Sequence, residues 1–168
     1  MKIEKVFVHC SASRWGNSLV IDEWHKARGF DKIGYHFVIS NGLYQGNQKT
    51  RFSFANGSIE AGRSVDSIGA HTVGFNQNSL GICLIGDKVF TKEQIETLYN
   101  MIVALKNQLG TFTFSDVHGH YEAGLLNPKF AVQKTCPNMP MDKFRLVLEN
   151  KLSIDDFLIA QVAYAKNL

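Results

Sequence analysis

Leu80-Gly81-Ile82-Cys83-Leu84-Ile85-Gly86 is the stretch that decides the fold. It carries no charged side chain, which predicts a fully buried central strand whose glycines allow close backbone approach. Val6-Phe7-Val8 predicts a second, shorter buried strand that ends beside His9. Strands and helices alternate along the chain without a strict βαβ rhythm. We therefore predict an α/β fold in a single domain, with a mixed central β-sheet flanked by helices.

The predicted helices have clear start signals. A helix over residues 21–29 begins with two acidic side chains and stops at a glycine. The capping-box pattern of residues 91–94 opens a helix to about residue 108. Asp142 is predicted to cap a helix over 143–150. The other expected elements are strands at 35–39, 58–63 and 117–120, an Asn41-Gly42 hairpin turn into Leu43-Tyr44, and loops over 45–57 and 121–133.

The C-terminal residues 151–168 are predicted to form a helix outside a main domain of residues 1–150. Ser153 is its expected cap. The helix has one apolar face, made by Ile154, Phe157, Leu158, Val162 and Ala165. We interpret this face as packed back on the domain, and the alternative is a helix that meets a membrane or a partner.

Composition excludes several classes of protein. The 168 residues suffice for one compact domain with a real core. The net charge of +3 is small and its Lys and Arg residues are scattered, so we predict no nucleic-acid binding. No apolar run approaches the roughly 18 residues that a membrane span needs, so we predict no transmembrane segment.

The three cysteines fit no disulfide framework, because their number is odd and their spacing is irregular. A reducing compartment is the simpler interpretation. Cys10 and Cys83 lie in apolar strand-like runs and are expected in the core.

Cys136 is a different case, because it can join His9 and His120 as a zinc ligand. Two imidazoles and one thiolate are good Zn²⁺ ligands, and three protein ligands leave a position open, as in a catalytic site. Lys134 would place a positive charge beside such a site. The alternative is that Cys136 is a small buried side chain and that both histidines are ordinary polar residues.

Three other histidines must be assigned to the metal site, the core or the surface. His118 lies two residues before His120, so on a strand both side chains would point to one face, and spacing alone leaves His118 as a competitor for the second metal site. His36 alternates with Tyr35 and is expected to be a core histidine with its hydrogen bonds satisfied. His25, on a helix, is expected at the surface.

Four segments together resemble one family. They are VFVHCSAS at 6–13, GYHFVIS at 34–40, GAHTVGFNQNSLGICLIG at 69–86, and VHGHYE with KTCP at 117–122 and 134–137. In this order they resemble the zinc-dependent N-acetylmuramoyl-L-alanine amidases of the type 2 family, which includes the peptidoglycan recognition proteins. Within that family the small phage endolysins are the most similar branch. The resemblance covers about residues 3–150.

The resemblance implies a set of functional residues. His9, His120 and Cys136 match the zinc ligands of the family, and Tyr35 and Lys134 match catalytic residues of the endolysin branch. His71 corresponds to a histidine that lines the substrate groove, and Asn76 lies in the adjoining loop, so both are expected to bind substrate. The implied reaction is hydrolysis of the amide between N-acetylmuramic acid and L-alanine in bacterial peptidoglycan, with Zn²⁺ as cofactor. The segments 45–57 and 121–133 look longer than in the shortest phage enzymes, which leaves substrate preference open.

The resemblance also sets expectations about cellular role. Residues 1–13 lack the apolar core of a secretory signal. We expect a monomer in the host cytoplasm that reaches the cell wall through a separate pore, although a cytoplasmic recycling enzyme is a second interpretation. Three alternatives of another kind stay open: a peptidoglycan-binding module without catalysis, a regulator that binds phage RNA polymerase, and a hydrolase with Cys136 as nucleophile.

Overall fold

A computed structural model describes residues 1–133 and 135–168 of the chain, so Lys134 lies outside the described residues. Its helices and strands alternate along most of the sequence. The strands are β1 Lys5–Cys10, β2 Phe37–Asn41, β3 Asn56–Ala61, β4 Ser79–Leu84 and β5 Val117–Gly119. The helices are α1 Ser18–Lys26, α2 Lys92–Leu109, α3 Ala123–Leu126, α4 Met141–Leu148 and α5 Ile154–Ala165.

The five strands form one mixed sheet in the order β3-β2-β4-β1-β5. β4 is parallel to both β1 and β2, β5 is parallel to β1, and β3 is antiparallel to β2. Every residue of β4 is buried, as its uncharged sequence predicts. The α/β fold with a mixed central sheet and flanking helices is confirmed.

The two faces of the sheet are covered differently. One face carries the large core, in which Val6, Val8 and Ile82 pack with side chains of α2, α4 and α5. The other face carries a smaller cluster that includes Ile21 of α1 and Cys83. Because side chains alternate along a strand, Phe7 and His9 point away from the large core and towards this thinner layer.

Glycine in β4 leaves room on the thinner face. A Cβ atom at Gly81 would lie 2.5 Å from the ring of His71, so only a residue without a side chain lets that imidazole lie on the sheet. The close approach expected at the glycines of β4 is therefore present at Gly81, and the group that approaches is the His71 side chain.

The strong local signals gave accurate ends for α2 and an accurate start for α5, whereas the helix predicted over 21–29 is α1, which begins at Ser18 after an Asn17 cap and ends at Lys26. α2 begins with the Thr91–Gln94 capping box and ends at Gly110, whose φ is 64°. Ser153 caps α5, since its side chain accepts a hydrogen bond from the Asp156 backbone N–H. The predicted role of Asp142 was wrong: α4 starts at Met141 with Pro140 before it, and Asp142 lies in its first turn.

The predicted hairpin into Leu43-Tyr44 was wrong. β2 pairs instead with β3, more than ten residues later. The Asn41 side chain accepts a hydrogen bond from the Leu43 backbone N–H at 3.0 Å, and Gly42 adopts a φ of 74°, so the chain turns away from the sheet. The predicted loop 121–133 contains α3 and a 3-10 turn at Pro128–Phe130.

α5 packs against the large core. Phe157 is fully buried and contacts Phe144 of α4, with ring centroids 5.5 Å apart. The Gln161 side chain forms two hydrogen bonds with the Phe90 backbone: its Oε1 accepts from the Phe90 N–H and its Nε2 donates to the Phe90 carbonyl oxygen. The prediction that Val162 belongs to the buried face was wrong, because the buried stripe continues through Gln161 and leaves Val162 exposed. Among the described residues, no helix is both long and apolar enough to cross a membrane.

Candidate metal centre and cavity

The candidate site lies at the carboxyl ends of β1 and β5, the edge where parallel sheets commonly bind ligands. Val8 of β1 is in register with Gly119 of β5, which places His9 beside His120. Their ring centroids are 4.7 Å apart. Two neighbouring parallel strands therefore deliver the two histidines to one point.

The loop after α3 brings Cys136 to the same point. The Tyr121 backbone N–H donates a hydrogen bond to the Cys136 carbonyl oxygen at 3.0 Å. The Cys10 backbone N–H donates to the Cys136 sulfur at 3.3 Å. A Cβ atom at Gly119 would lie 2.8 Å from Pro137, so the glycine allows the loop to approach the end of β5.

His9, His120 and Cys136 form a compact donor cluster. One nitrogen or sulfur atom from each residue lies within 4.8 Å of the others. The sulfur of Cys136 is 3.9 Å from Nδ1 of His9. Burial lowers the pKa of His9 well below its ordinary value, so the imidazole is neutral and keeps a free lone pair. Two nitrogens and one sulfur in this arrangement fit a zinc ion.

His118 stands outside this cluster. Its ring lies against Phe7, with centroids 5.6 Å apart, and Nδ1 is 4.0 Å from a carboxylate oxygen of Glu122. Glu122 in turn forms a two-bond ion pair with Arg145. His118 is thus part of a polar layer beneath the site, whereas His120 faces the other two donors.

His71 supports His9 from behind. Nε2 of His9 is 3.2 Å from Nδ1 of His71, and the Thr72 hydroxyl lies 3.0 Å from the same Nδ1. Burial, with a smaller contribution from His36, lowers the pKa of His71 to about 3. Nε2 of His71 is buried without a hydrogen-bond partner among the described residues, and His71 lines the adjoining cavity.

Asn76 holds the backbone at His71 and Thr72 in place. Its side-chain oxygen accepts hydrogen bonds from the backbone N–H groups of His71 at 2.9 Å and Thr72 at 2.8 Å. Asn76 is not among the described residues that line the cavity. Asn76 therefore supports the position of His71, whereas the sequence predicted that Asn76 itself contacts substrate.

Tyr35 lies on the cavity side of the cluster. Its ring centroid is 4.9 Å from that of His9. Burial raises the pKa of Tyr35 well above its ordinary value, so the phenol keeps its proton and can donate a hydrogen bond. His36 is buried beside His71 and is satisfied by the Gly81 backbone N–H and the Ser67 carbonyl oxygen, which confirms the predicted core histidine.

A cavity of about 540 Å³ opens beside the cluster. Its walls come from the end of β1, from α1, from the segments around Tyr35 and His71, and from the loop that carries Cys136. The lining includes Trp24, His25, Arg28, Phe30, Tyr35, His71, His120, Gln133 and Cys136. A donor cluster with a cavity on one side can bind a metal ion and present it to a small part of a larger substrate.

Comparison with known proteins identifies the family. A family model described as N-acetylmuramoyl-L-alanine amidase matches residues 1–139. The chain belongs to this amidase family. The match covers the three donors and Tyr35, so the family resemblance read from the sequence is confirmed.

Individual relatives of this amidase agree with that assignment. The chain is 30% identical to the endolysin of Enterobacteria phage T3 over 152 residues, which is 84% of each protein. The endolysin of Escherichia phage T7 is 29% identical over the same shares. Among solved structures, the amidase LysC from Clostridium intestinale superposes with a TM-score of 0.68 and 25% identity, over 89% of this chain and 87% of LysC. Drosophila PGRP-LB, at a TM-score of 0.59 and 23% identity over 81% of this chain and 75% of its own, shares the fold.

The amidase cavity also contains a residue that the sequence placed elsewhere. The prediction of a surface position for His25 was wrong, because its side chain is 5% exposed. The Gly34 backbone N–H donates to its Nδ1 at 3.0 Å, and burial lowers the pKa of His25 to about 4. The available signal was helical spacing: His25 lies four residues after the buried Ile21, on the same side of α1.

Proposed function

We propose that the chain hydrolyses the amide bond between N-acetylmuramic acid and L-alanine in bacterial peptidoglycan, with a zinc ion held by His9, His120 and Cys136. The observation that carries this proposal is the cluster of three donor atoms within 4.8 Å at the edge of the cavity. Three protein donors leave a coordination position free, which distinguishes a catalytic zinc from a structural one. When bound, the zinc supplies a Lewis acid that polarises a carbonyl and lowers the pKa of water.

His71 would fix the orientation of His9. With zinc on Nδ1 of His9, the nitrogen turned towards Cys136, Nε2 would hold the ring proton and would donate to Nδ1 of His71, which lies 3.2 Å away. Hydrogen bonding of the outer nitrogen sets the tautomer and ring angle of a ligand histidine. Asn76 contributes indirectly, because it holds the backbone at His71.

The environment of Cys136 favours the protonated thiol as long as no cation is bound to the sulfur. A hydrogen bond with the Cys10 thiol and burial raise the pKa of Cys136 well above its ordinary value. A bound cation reverses this preference, because a metal ligand must be the thiolate. The Cys10 backbone N–H, 3.3 Å from the sulfur, then donates to the anion and stabilises it.

Tyr35 and Lys134 would act on the substrate carbonyl. Attack of water on the amide develops negative charge on the carbonyl oxygen, and donors aimed at that oxygen stabilise it. Tyr35 keeps its phenolic proton and lines the cavity, so it can donate there. Lys134, two residues before Cys136, is proposed as a second, cationic group from its match to the family.

The proposal is tested by the release of L-alanine amino groups from purified peptidoglycan, with and without a chelator, alongside zinc analysis. We expect chelator-sensitive release and about one zinc per chain, since a single three-donor centre is proposed. His120→Gln should lose zinc and activity together. His118→Gln is the matched control, because this neighbouring histidine lies outside the cluster, and it should keep both.

Each other outcome selects a different function. Release that survives complete zinc removal would favour Cys136 as a nucleophile. Bound zinc without release would favour a peptidoglycan-binding module. Absence of zinc in the wild-type protein would remove the ligand assignment.

The cellular role is proposed on the relatives alone. Their name, endolysin, supports action on the wall during phage release. Residence in the host cytoplasm, passage through a separate pore, a monomeric state and binding of phage RNA polymerase stay predictions from the sequence.

A further inference from the structure

We propose that the segment between β2 and β3, residues 42–55, carries a second peptidoglycan-binding surface, whose two exposed phenylalanines stack on sugar rings of the glycan strand. The inference rests on the proposed function, because it names how the enzyme holds the polymer on either side of the amide that it cleaves. No residue of 42–55 is among the described residues that line the cavity. The surface is therefore separate from the site described above.

The loop surface consists of Phe52, Phe54, Lys49 and Arg51. Phe54 is 84% exposed and Phe52 is 48% exposed. Their ring centroids are 5.6 Å apart and their planes differ by 26°, so the two rings form one stacked pair. Single exposed apolar side chains are common on protein surfaces, whereas adjoining ones are typical of interaction sites.

The loop surface is built on a braced backbone. The Phe52 N–H donates to the Gly42 carbonyl oxygen at 2.9 Å, which closes the loop at its base. Inside the loop, Nε2 of Gln48 donates to the carbonyl oxygens of Gly42 at 2.9 Å and Thr50 at 2.7 Å. From outside, Arg14 donates to the Gln48 carbonyl oxygen at 2.9 Å. Because these bonds fix the backbone before anything binds, binding costs little conformational entropy.

The loop surface belongs to the same edge of the sheet as the metal centre. β2 is parallel to β4 and β4 is parallel to β1, so the carboxyl ends of all three strands meet at one edge. Residues 42–55 leave the sheet at the end of β2, and His9 lies near the end of β1. These two strands are two positions apart in the sheet, which corresponds to about 10 Å. A long polymer bound at the metal centre therefore runs past the base of the loop.

Two tryptophans connect the loop with the cavity. A Cβ atom at Gly46 would lie 2.9 Å from the Trp15 ring, so the loop packs directly on that indole. Trp15 meets Trp24 edge to face, with ring centroids 5.5 Å apart, and Trp24 lines the cavity. The loop, the two indoles and the cavity thus contact one another in turn, which supports one extended binding face.

The chemistry of the loop surface fits a sugar polymer. A pyranose ring presents a face of C–H bonds, which packs on the electron-rich face of an aromatic ring. The hydroxyl and N-acetyl oxygens around that face accept hydrogen bonds. Lys49 and Arg51 can donate them, because within the described part of the chain neither side chain has an ion pair or a hydrogen bond. Residues 42–55 contain no aspartate or glutamate that would compete for these cations.

An anionic lipid surface is the other partner that exposed aromatic and cationic side chains can fit. The position of the loop disfavours it. A membrane lying against this edge of the sheet would cover the cavity and block it. The glycan strand, in contrast, has to lie along this edge whenever one of its N-acetylmuramic acid residues brings the amide to the metal centre. The location therefore favours the glycan strand as the occupant.

The experiment compares a polymeric substrate with a single sugar. The zinc-loaded double variant Phe52→Ser/Phe54→Ser is assayed on intact sacculi and on a muramyl tetrapeptide, whose one sugar cannot reach the metal centre and the loop together. We expect kcat/KM on sacculi to fall by about 10-fold, mainly through KM, as for truncation of aromatic contacts. On the muramyl tetrapeptide kcat/KM should equal that of the wild type, which also shows that the variant is folded.

Binding is measured separately from cleavage. Glycan strands stripped of their stem peptides should bind the wild type in calorimetry, and the double variant should bind them about 10-fold more weakly. Phe52→Tyr/Phe54→Tyr keeps both rings and should bind as the wild type does. Ile159→Ser is the matched control, because it removes an apolar side chain that is 71% exposed on α5, and it should change neither binding nor cleavage.

The outcomes separate this inference from the proposed function. Wild-type cleavage of sacculi by the double variant, or absence of binding to stripped glycan strands, would overturn the loop surface and leave the amidase intact. An equal loss on sacculi and on the muramyl tetrapeptide would overturn it as well, since the defect would lie in the cavity. Binding to phosphatidylglycerol vesicles but not to glycan would assign the surface to lipid. Failure of the wild type to release L-alanine amino groups from either substrate would instead count against the proposed function.

Discussion

At the scale of single residues, the phenol of Tyr35 offers the sharpest test of the catalytic proposal. Tyr35→Phe removes one oxygen and keeps the ring that lies beside His9. If the hydroxyl donates to the developing oxyanion, kcat should fall by about 10²–10³-fold, as for loss of one oxyanion donor. Zinc content should stay at the wild-type value, because the phenol is not a proposed ligand.

Tyr44→Phe controls for removal of a phenol as such. Tyr44 contacts Phe52 away from the cavity, so turnover should be unchanged. Steady-state kinetics with a soluble muropeptide and metal analysis of the same samples supply both readouts. A Tyr35→Phe enzyme with wild-type kcat would remove the hydroxyl from the mechanism.

The residues that sequence could identify are those fixed by strands. His9 lies in β1, whose apolar run is readable, His120 directly follows β5, and the register of the two strands brings them together. The supporting roles could not be read in the same way. Asn76 braces His71 through hydrogen bonds to the backbone, and His25 is buried because a separate segment, at Gly34, covers it. These hydrogen bonds join side chains to backbone N–H groups five and nine residues away in the chain, in loops whose course the sequence does not predict, and helical spacing after Ile21 was the one local signal for His25.

At the scale of elements, the signals at the two ends of α2 were reliable, whereas the predicted cap at Asp142, the predicted start of α1 and the predicted hairpin were not. The capping box and glycine stop of α2 are completed by residues of that helix alone. The pairing of β2 with β3 depends on contacts across the sheet. The local Asn41-Gly42 signal predicted a tight hairpin, but the hydrogen bond of the Asn41 side chain turns the chain away from the sheet. The match of the family model to residues 1–139 likewise leaves α5 to be explained by packing.

α5 should contribute to stability through one aromatic side chain. Phe157 is fully buried against Phe144, so Phe157→Ala should lower the free energy of unfolding by about 3–5 kcal/mol. Ile159 lies on the same helix and is 71% exposed, so Ile159→Ala should change it by less than about 0.5 kcal/mol. Urea unfolding followed by circular dichroism measures both. Similar effects of the two substitutions would mean that α5 is not anchored through Phe157.

At the scale of the whole molecule, the sheet divides stability from chemistry. The face covered by α2, α4 and α5 holds most of the large apolar side chains. The opposite face holds His9, His36, His71 and the cavity wall formed by α1. Buried histidines replace apolar packing there, so this face is the part of the fold whose stability should depend on pH.

Acid should destabilise the metal-free protein between about pH 6.5 and pH 4. Burial holds the pKa of His25 at about 4, whereas in the unfolded chain a histidine titrates near about 6.5, so the unfolded state binds more protons in this window. The stability that neutral His25 contributes is therefore complete above about pH 6.5 and is lost as the pH falls towards 4, by up to about 1.4 kcal/mol per pH unit.

His25→Asn keeps an acceptor for the Gly34 N–H and cannot titrate. In chelator, its free energy of unfolding should fall by about 1–2 kcal/mol less than that of the wild type between pH 6.5 and 5. Parallel curves for the two proteins would show that His25 is protonated in the folded state or does not contribute.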